Sequence, residues 1–209
     1  MKAIIITPYL HAPIRSLADI ATYDLILCAD SAYLLAEREG ITPDTVIGDF
    51  DHGKRVHPDK DAKNVVTVPC EKDDTDTMLC LKHAIDRGAD EITILGGIGG
   101  RLDHTFANIQ SLAYAARHGV RARLLSERDE VFLVHDRALI HKPVETSYLS
   151  VFAYDGICTG VTEIGTKYEI RDAVLDTSFP LGVSNEIVAE QAEIRVKTGR
   201  LLIILSKKD

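Results

Sequence analysis

Gly96-Gly97-Ile98-Gly99-Gly100-Arg101-Leu102-Asp103-His104 brings glycines, a guanidinium, a carboxylate and an imidazole into one short stretch, with Asn108 just beyond. Glycine-rich turns aim backbone N–H groups at anions, and a following helix start adds its positive end. Arg101 stands where a bidentate phosphate contact can form. Neither common nucleotide fingerprint fits: Gly97-x-Gly99 lacks a third glycine at the dinucleotide spacing, and no Gly-Lys-Ser/Thr follows. For the glycines alone, a tight turn with a surface Arg is an equal reading. Asp103, His104 and Asn108 tip the balance toward a phosphate site.

Carboxylates gather elsewhere too. Asp49 and Asp51 are one residue apart in Gly48-Asp49-Phe50-Asp51, a spacing that lets both point at one cation. Lys72-Asp73-Asp74-Thr75-Asp76 is a second acidic group, and Asp30 a third. Asp74 or Thr75 could serve only as a helix cap, with Asp76 favourable toward the helix dipole, which explains one or two of these acids. A donor set of carboxylates without Cys or His points to a hard cation, and Mg²⁺ suits a site that also holds phosphates. Glycine turn, Arg and metal-binding acids together describe phosphate transfer. Among the histidines, His52 and His104 each follow an aspartate of this set, and His104 is the stronger candidate for a phosphate or orienting contact.

The elements that must position these groups are readable. Ala3–Thr7, Asp24–Ala29, Thr45–Ile47, Val65–Val68, Ile92–Leu95 and Arg121–Leu125 read as strands. Helical spacing appears over Ser31–Glu39, over Thr75–Arg87 with Met78, Leu79, Leu81 and Ile85 inward, and after the glycines with Leu102, Phe106, Ile109, Ala113 and Ala116 on one face. Strands alternating with helices predict a mostly parallel, Rossmann-like sheet with helices on both faces. Ligands bind such sheets outside the carboxyl ends of the strands. Asp30, Asp49, Asp51, Asp73–Asp76 and Asp103 all fall on that one rim. Past residue 126 the pattern changes to short β-rich runs: Val131–Val134, Tyr148–Tyr154, Ile187–Val188, Ala192–Val196 and Leu201–Leu205. Residues 1–126 are therefore expected as an α/β domain and 127–209 as an all-β sandwich or barrel.

The whole chain sets bounds. A hydrophobic fraction of 45% suffices for a core, and the formal net charge of -8 without a Lys/Arg block argues against nucleic acid or an anionic membrane as partner. Cys28, Cys70, Cys80 and Cys158 form no C-x-x-C pair and read as buried reduced thiols. The N-terminal apolar run is of strand length, too short for a signal segment or a membrane span, so a cytoplasmic protein is expected.

Taken in order, Gly48-Asp49-Phe50-Asp51, Lys72-Asp73-Asp74-Thr75-Asp76, Gly99-Gly100-Arg101-Leu102-Asp103-His104 with Ala107-Asn108-Ile109, and Pro180-Leu181-Gly182-Val183-Ser184-Asn185-Glu186 resemble the motifs of the thiamine pyrophosphokinase family. The resemblance implies an N-terminal α/β domain holding ATP and Mg²⁺, a C-terminal β-sandwich, and a homodimer with thiamine in a cleft shared between subunits. It implies that Asp49, Asp51 and Asp76 are metal and catalytic acids, joined by Asp103. Asp30, Lys72, Gly99, Gly100, Arg101, His104 and Asn108 would line the ATP and phosphate site, and Ser184 and Asn185 would touch thiamine. The implied reaction is attack of the thiamine hydroxyl on the β-phosphorus of ATP, with Asp103 or Asp76 taking the proton. Ile187 stands where some relatives carry an aromatic, and the chain has no Trp. Three rivals are a metal-dependent phosphatase, a pyrophosphokinase acting on another small alcohol such as a pterin, and a nucleotide- or thiamine-binding sensor without turnover. The phosphatase pattern wants Thr or Val where Gly53 sits.

Overall fold

Ala3, Ile4, Ile5 and Ile6 are all buried, as a strand covered on both faces requires. The computed structural model describes residues 1–50, 63–69, 71 and 73–208. They form two compact units, Met1–Glu127 and Arg128–Asp209.

In the first unit the order is β1 (Lys2–Ile6), α1 (Ile14–Leu17), β2 (Leu25–Ala29), α2 (Tyr33–Arg38), β3 (Thr45–Gly48), β4 (Asn64–Thr67), α3 (Asp76–Asp86), β5 (Glu91–Leu95), α4 (Leu102–Arg117) and β6 (Arg121–Leu125). The strands pair in parallel in the order β6-β5-β1-β2-β3-β4. Parallel pairing brings every carboxyl end to one rim. Helix α3 packs against β1, β2 and β3, and α4 against β6.

Two helix faces differ from expectation. In α3 the fully buried residues are Thr77, Cys80, Leu81 and Ala84, while Met78, Leu79 and Ile85 are only half-buried. In α4 Leu102 is 81% exposed and Phe106 61%, and the buried face is Asn108, Ser111, Leu112, Ala113 and Ala115. The small residues let α4 approach the sheet closely, which the larger apolar side chains of its first turns would prevent. Helix α1 also escapes the sequence pattern, because its leading amides are capped from a distance: Glu39 accepts from Ile14 N (2.6 Å) and Arg15 N (3.1 Å).

The second unit contains β7 (Asp129–Val134), β8 (Arg137–His141), β9 (Ser147–Ala153), β10 (Cys158–Ile164), β11 (Ile170–Leu175), β12 (Gly182–Asn185), β13 (Gln191–Arg195) and β14 (Leu201–Lys207). They form antiparallel arrays in the orders β12-β9-β14-β7 and β11-β10-β13-β8. Leu149, Val151, Leu201 and Ile203 of the first array and Val161, Leu175, Ala192 and Ile194 of the second share one core. Ile187, expected within a strand, makes only an isolated bridge to Thr166. Cys28, Cys80 and Cys158 are buried free thiols, and burial pushes Cys28 up to about 12. Cys70 lies outside the described residues. Among the described residues no helix is long and apolar enough to cross a membrane.

Candidate active site

The first unit's chain runs outward from β1 through β2 and β3 to β4, then returns to β5 on the other side of β1. The carboxyl ends of β1 and β5 are therefore the topological switch point, where an open α/β sheet forms its ligand crevice. Two loops meet there. Thr7 closes β1 by donating both its N–H and its hydroxyl to Leu95 O, each at 3.0 Å. Gly97 N donates to Tyr9 O at 3.2 Å. The Tyr9 loop is itself clamped, because Glu127 accepts from His11 N (2.5 Å) and Ala12 N (2.6 Å).

The glycines are required by this crowding. Gly100 has φ +63°, and a Cβ there would lie 2.4 Å from the Tyr9 ring. Gly97 has φ +76°, and a Cβ would lie 2.7 Å from Asn108 Nδ2. Asn108, 6% exposed, donates that nitrogen to Gly97 O at 2.9 Å. Thr105 closes the other side: its hydroxyl accepts from Gly99 N (3.2 Å) and lies 3.1 Å from Gly99 O. The turn is thus tied to β1 below and to α4 behind, and it leads into the first turn of α4, where the N-cap residue Arg101 offers no side-chain cap. A glycine turn running into a helix start is a common setting for an anion.

Arg101 and Asp103 stand exposed at that turn and form a two-point pair, Nη2–Oδ2 at 2.6 Å and Nε–Oδ1 at 3.2 Å. Asp103 also accepts His104 N at 2.9 Å. The hydrogen bond from Arg101 holds the Asp103 carboxyl below the usual carboxylate range. Asp103 is therefore ionised and a weakened base, and it orients the guanidinium.

Across the rim, Asp30 begins a short 3₁₀ turn at φ +47° directly after β2. Gly48, which ends β3, is packed under it: a Cβ there would lie 2.8 Å from Asp30 Cα. Asp49 follows and is half-buried. Thr75 caps α3, its hydroxyl accepting Met78 N at 3.1 Å, so the cap role falls to Thr75 and Asp76 opens the helix. Asp74 pairs with Lys82 at 2.7 Å. Asp51 and Lys72 lie outside the described residues. Among the described residues no three His, Cys, Asp or Glu side chains converge closely enough to hold a metal ion. Asp49 and Asp76 are carboxylates, the donor type that hard cations take.

In the second unit, Ser184 is an exposed residue at φ +60° in a bulge of β12. Gly182 pairs with Val151 and Asn185 with Leu149, so Val183 and Ser184 together oppose Ser150. Ser184 N donates to Ser150 Oγ at 3.1 Å. Asn185 is 5% exposed, and its side chain is fully engaged. Oδ1 accepts from Tyr168 N (3.0 Å) and Glu186 N (2.9 Å), and Nδ2 donates to Glu163 Oε2 (3.0 Å) and Tyr168 O (2.9 Å). An amide has two donors and two lone pairs, so none is left for a ligand.

The family-model comparison divides the chain along these lines. The thiamin pyrophosphokinase catalytic domain matches residues 18–124, and the vitamin B1 binding domain of the same enzyme matches residues 137–203. The chain belongs to the thiamin pyrophosphokinase family. A thiamine pyrophosphokinase from Bacillus subtilis is 29% identical over 171 residues, covering 80% of each chain. The solved structure of a thiamine pyrophosphokinase from the same species superposes with a TM-score of 0.90 at 24% identity over the whole of both chains, which speaks to the fold. A thiamin pyrophosphokinase family protein from Enterococcus faecalis gives 0.87 at 25% identity, again over both whole chains. These matches do not favour a pterin as the acceptor.

Tyr9, Thr105, Glu127 and Glu163 are absent from the sequence reading of this family member. Only Thr105, inside the glycine-to-Asn108 stretch, carried a local signal; the others act across long sequence separations. Two outcomes are expected. Gly100→Ala destabilises the protein by more than Gly119→Ala, because Gly119 (φ +73°) has open space around it and bears only the backbone strain of roughly 1–2 kcal/mol; paired thermal melts check this. Glu163, 1% exposed, is pushed up to about 7 by burial, from 4.5. The folded protein holds that proton more tightly than the unfolded chain, so this stabilisation is whole below pH 4.5 and lost as pH rises through about 7. Glu163→Gln should therefore melt higher than wild type at pH 8, by on the order of 2–3 kcal/mol, and gain nothing at pH 4.

Proposed function

We propose that this chain transfers the pyrophosphoryl group of ATP to the hydroxyl of thiamine, giving thiamine diphosphate and AMP. The observation that carries the proposal is the paired match to a catalytic and a vitamin B1 binding domain in one chain. The glycine turn and acidic rim supply chemistry suited to a triphosphate. The finer architecture we propose is a Rossmann-like sheet with helices on both faces for the first unit and a β-sandwich for the second. The chain acts as a homodimer whose site draws residues from both subunits.

The thiamine oxygen attacks the β-phosphorus, the bond from that phosphorus to the α-bridging oxygen breaks, and AMP carries away the electron pair. The hydroxyl proton goes to Asp76 or, at the cost of its pairing with Arg101, to Asp103. Arg101, with the backbone amides at Gly100 and Arg101, holds the phosphates and stabilises charge developing on them. His104 and Asp30 line the same rim, Lys72 serves the phosphates by its charge, and Asn108 and Thr105 keep the turn in shape. Asp49, Asp51 and Asp76 would hold Mg²⁺, which when bound neutralises triphosphate charge. Ser184 contacts thiamine, and Asn185 serves the thiamine site by holding the turn.

Incubation with ATP, Mg²⁺ and thiamine, followed by mass spectrometry, should yield thiamine diphosphate and AMP together; ADP with thiamine monophosphate would sink the proposal. EDTA should abolish turnover and Mg²⁺ or Mn²⁺ restore it, and activity that survives exhaustive chelation would remove the metal assignment. Asp51→Asn should lower kcat by ~10²–10³ with thiamine binding retained, whereas Ser184→Ala should chiefly raise the KM for thiamine. The reverse pattern in steady-state kinetics would mean the two roles are exchanged. At a thiamine concentration too low for the Ser184→Ala chain to turn over alone, mixing it with an Asp49→Asn chain should recover activity on subunit exchange, and a fully active monomer would contradict the dimer.

A further inference from the structure

Glu163 is the one carboxylate in the buried class among the described residues, and no Lys, Arg or His there shares that burial. It lies on β10, and its Oε2 accepts Asn185 Nδ2 at 3.0 Å. Asn185 in turn grips the backbone of Tyr168 on both its N–H and its carbonyl, and it follows Ser184 directly in the chain. The pair thus fixes an exposed turn from underneath: Ser184 is held at φ +60° in the β12 bulge, and the neighbouring Tyr168 backbone cannot move away from it. A left-handed serine is strained and persists only where its surroundings over-determine it.

Among the described residues no cation pairs with Glu163. Its cross-strand partners are Ile170 on β11 and Ile194 on β13. The charged residues on the elements packed about it are paired elsewhere. Glu193 on β13 pairs with Arg137 and Arg195, and Arg171 on β11 with Glu169. Asp172 on β11 pairs with Lys197, and Glu186 beyond β12 with Lys167 and Lys208. The histidines of this unit, His135 and His141, are exposed. A buried acid without a counter-ion is a costly design for stability alone, since an apolar residue would serve the core better.

We propose that the Glu163–Asn185 pair is a positioning and counter-charge device for the thiamine site: Asn185 sets the Ser184 turn, and the Glu163 carboxylate balances the permanent positive charge of the thiazolium ring docked there. The proposal rests on Ser184 facing thiamine. In the free protein, burial keeps the carboxyl titrating at about 7. Arrival of a cation nearby favours the ionised form, so binding expels a proton to solvent and strengthens the Asn185 hydrogen bond. Glu163 never touches the reacting atoms; it acts through Asn185 and through its charge.

The test is calorimetric titration of the full-length protein with thiamine. Binding heats are measured at pH 7 in two buffers of different ionisation enthalpy, and affinities at pH 6 and pH 8. The wild type should release about half a proton at pH 7 and bind up to about tenfold more tightly at pH 8 than at pH 6. Glu163→Gln keeps a hydrogen-bond acceptor for Asn185 but cannot ionise; it should lose the proton release and bind equally at both pH values. His135 and His141 are intact in the variant, so any contribution from them persists in it. Proton release retained in Glu163→Gln, or a wild type that releases none and binds with a flat pH profile, overturns the proposal. The wild-type measurement decides by itself if the variant does not fold. A folded wild type that turns over thiamine but shows the flat profile refutes the pair alone, whereas one that neither binds nor turns over thiamine refutes the Ser184 reading on which the pair depends.

Discussion

The left-handed glycine turn pressed against Tyr9 is the constraint on which the first unit's site depends. At the switch point between β1 and β5, the chain must leave a buried strand, pass the Tyr9 ring and enter α4. A side chain at Gly100 would meet the ring, and one at Gly97 would meet Asn108. Once these positions are glycine, hydrogen bonds from Asn108, Thr105 and the Tyr9 backbone determine the rest. Preorganisation of this kind matters for phosphate transfer, where positioned dipoles contribute more than covalent chemistry. The acids obey the same rule of close approach: Asp30 and Asp49 are neighbours because Gly48 leaves room for Asp30.

The second unit solves a similar problem with buried polar groups. Its exposed Ser184 turn is held by an amide whose every donor and acceptor is satisfied inside the protein, and that amide rests on a buried acid. Fully connected polar networks specify one geometry, whereas an incomplete one would destabilise the core. Asn185 thereby stands behind the surface that Ser184 presents.

Much of this was legible in the sequence because it was local. The central parallel strands β1 and β2 read as unbroken apolar runs after their first residues, and β6 has the limits expected for it, Arg121–Leu125. The glycine turn announced itself through Arg101, Asp103 and Asn108. What was hidden depends on distant partners. The first turns of α4 look apolar, yet Leu102 and Phe106 face outward, because the helix sits on the sheet through its small residues further along. β10 and β11 were missed because their ladders carry register shifts, and β11 contains Asp172 at φ +52°, so no clean alternation survives. Glu163 had no signal at all; a lone acid in a strand reads as solvent-facing until the fold buries it.

The proposed phosphate cradle requires the glycine turn at the switch point to stay rigid and to meet the nucleotide. The most direct measurement is a backbone amide NMR titration with a non-hydrolysable ATP analogue and Mg²⁺. The amides of residues 97–103 should show the largest shifts, and Gly100→Ala should weaken the analogue's affinity along with those shifts. Shifts centred away from this turn, with affinity unchanged in Gly100→Ala, would contradict it.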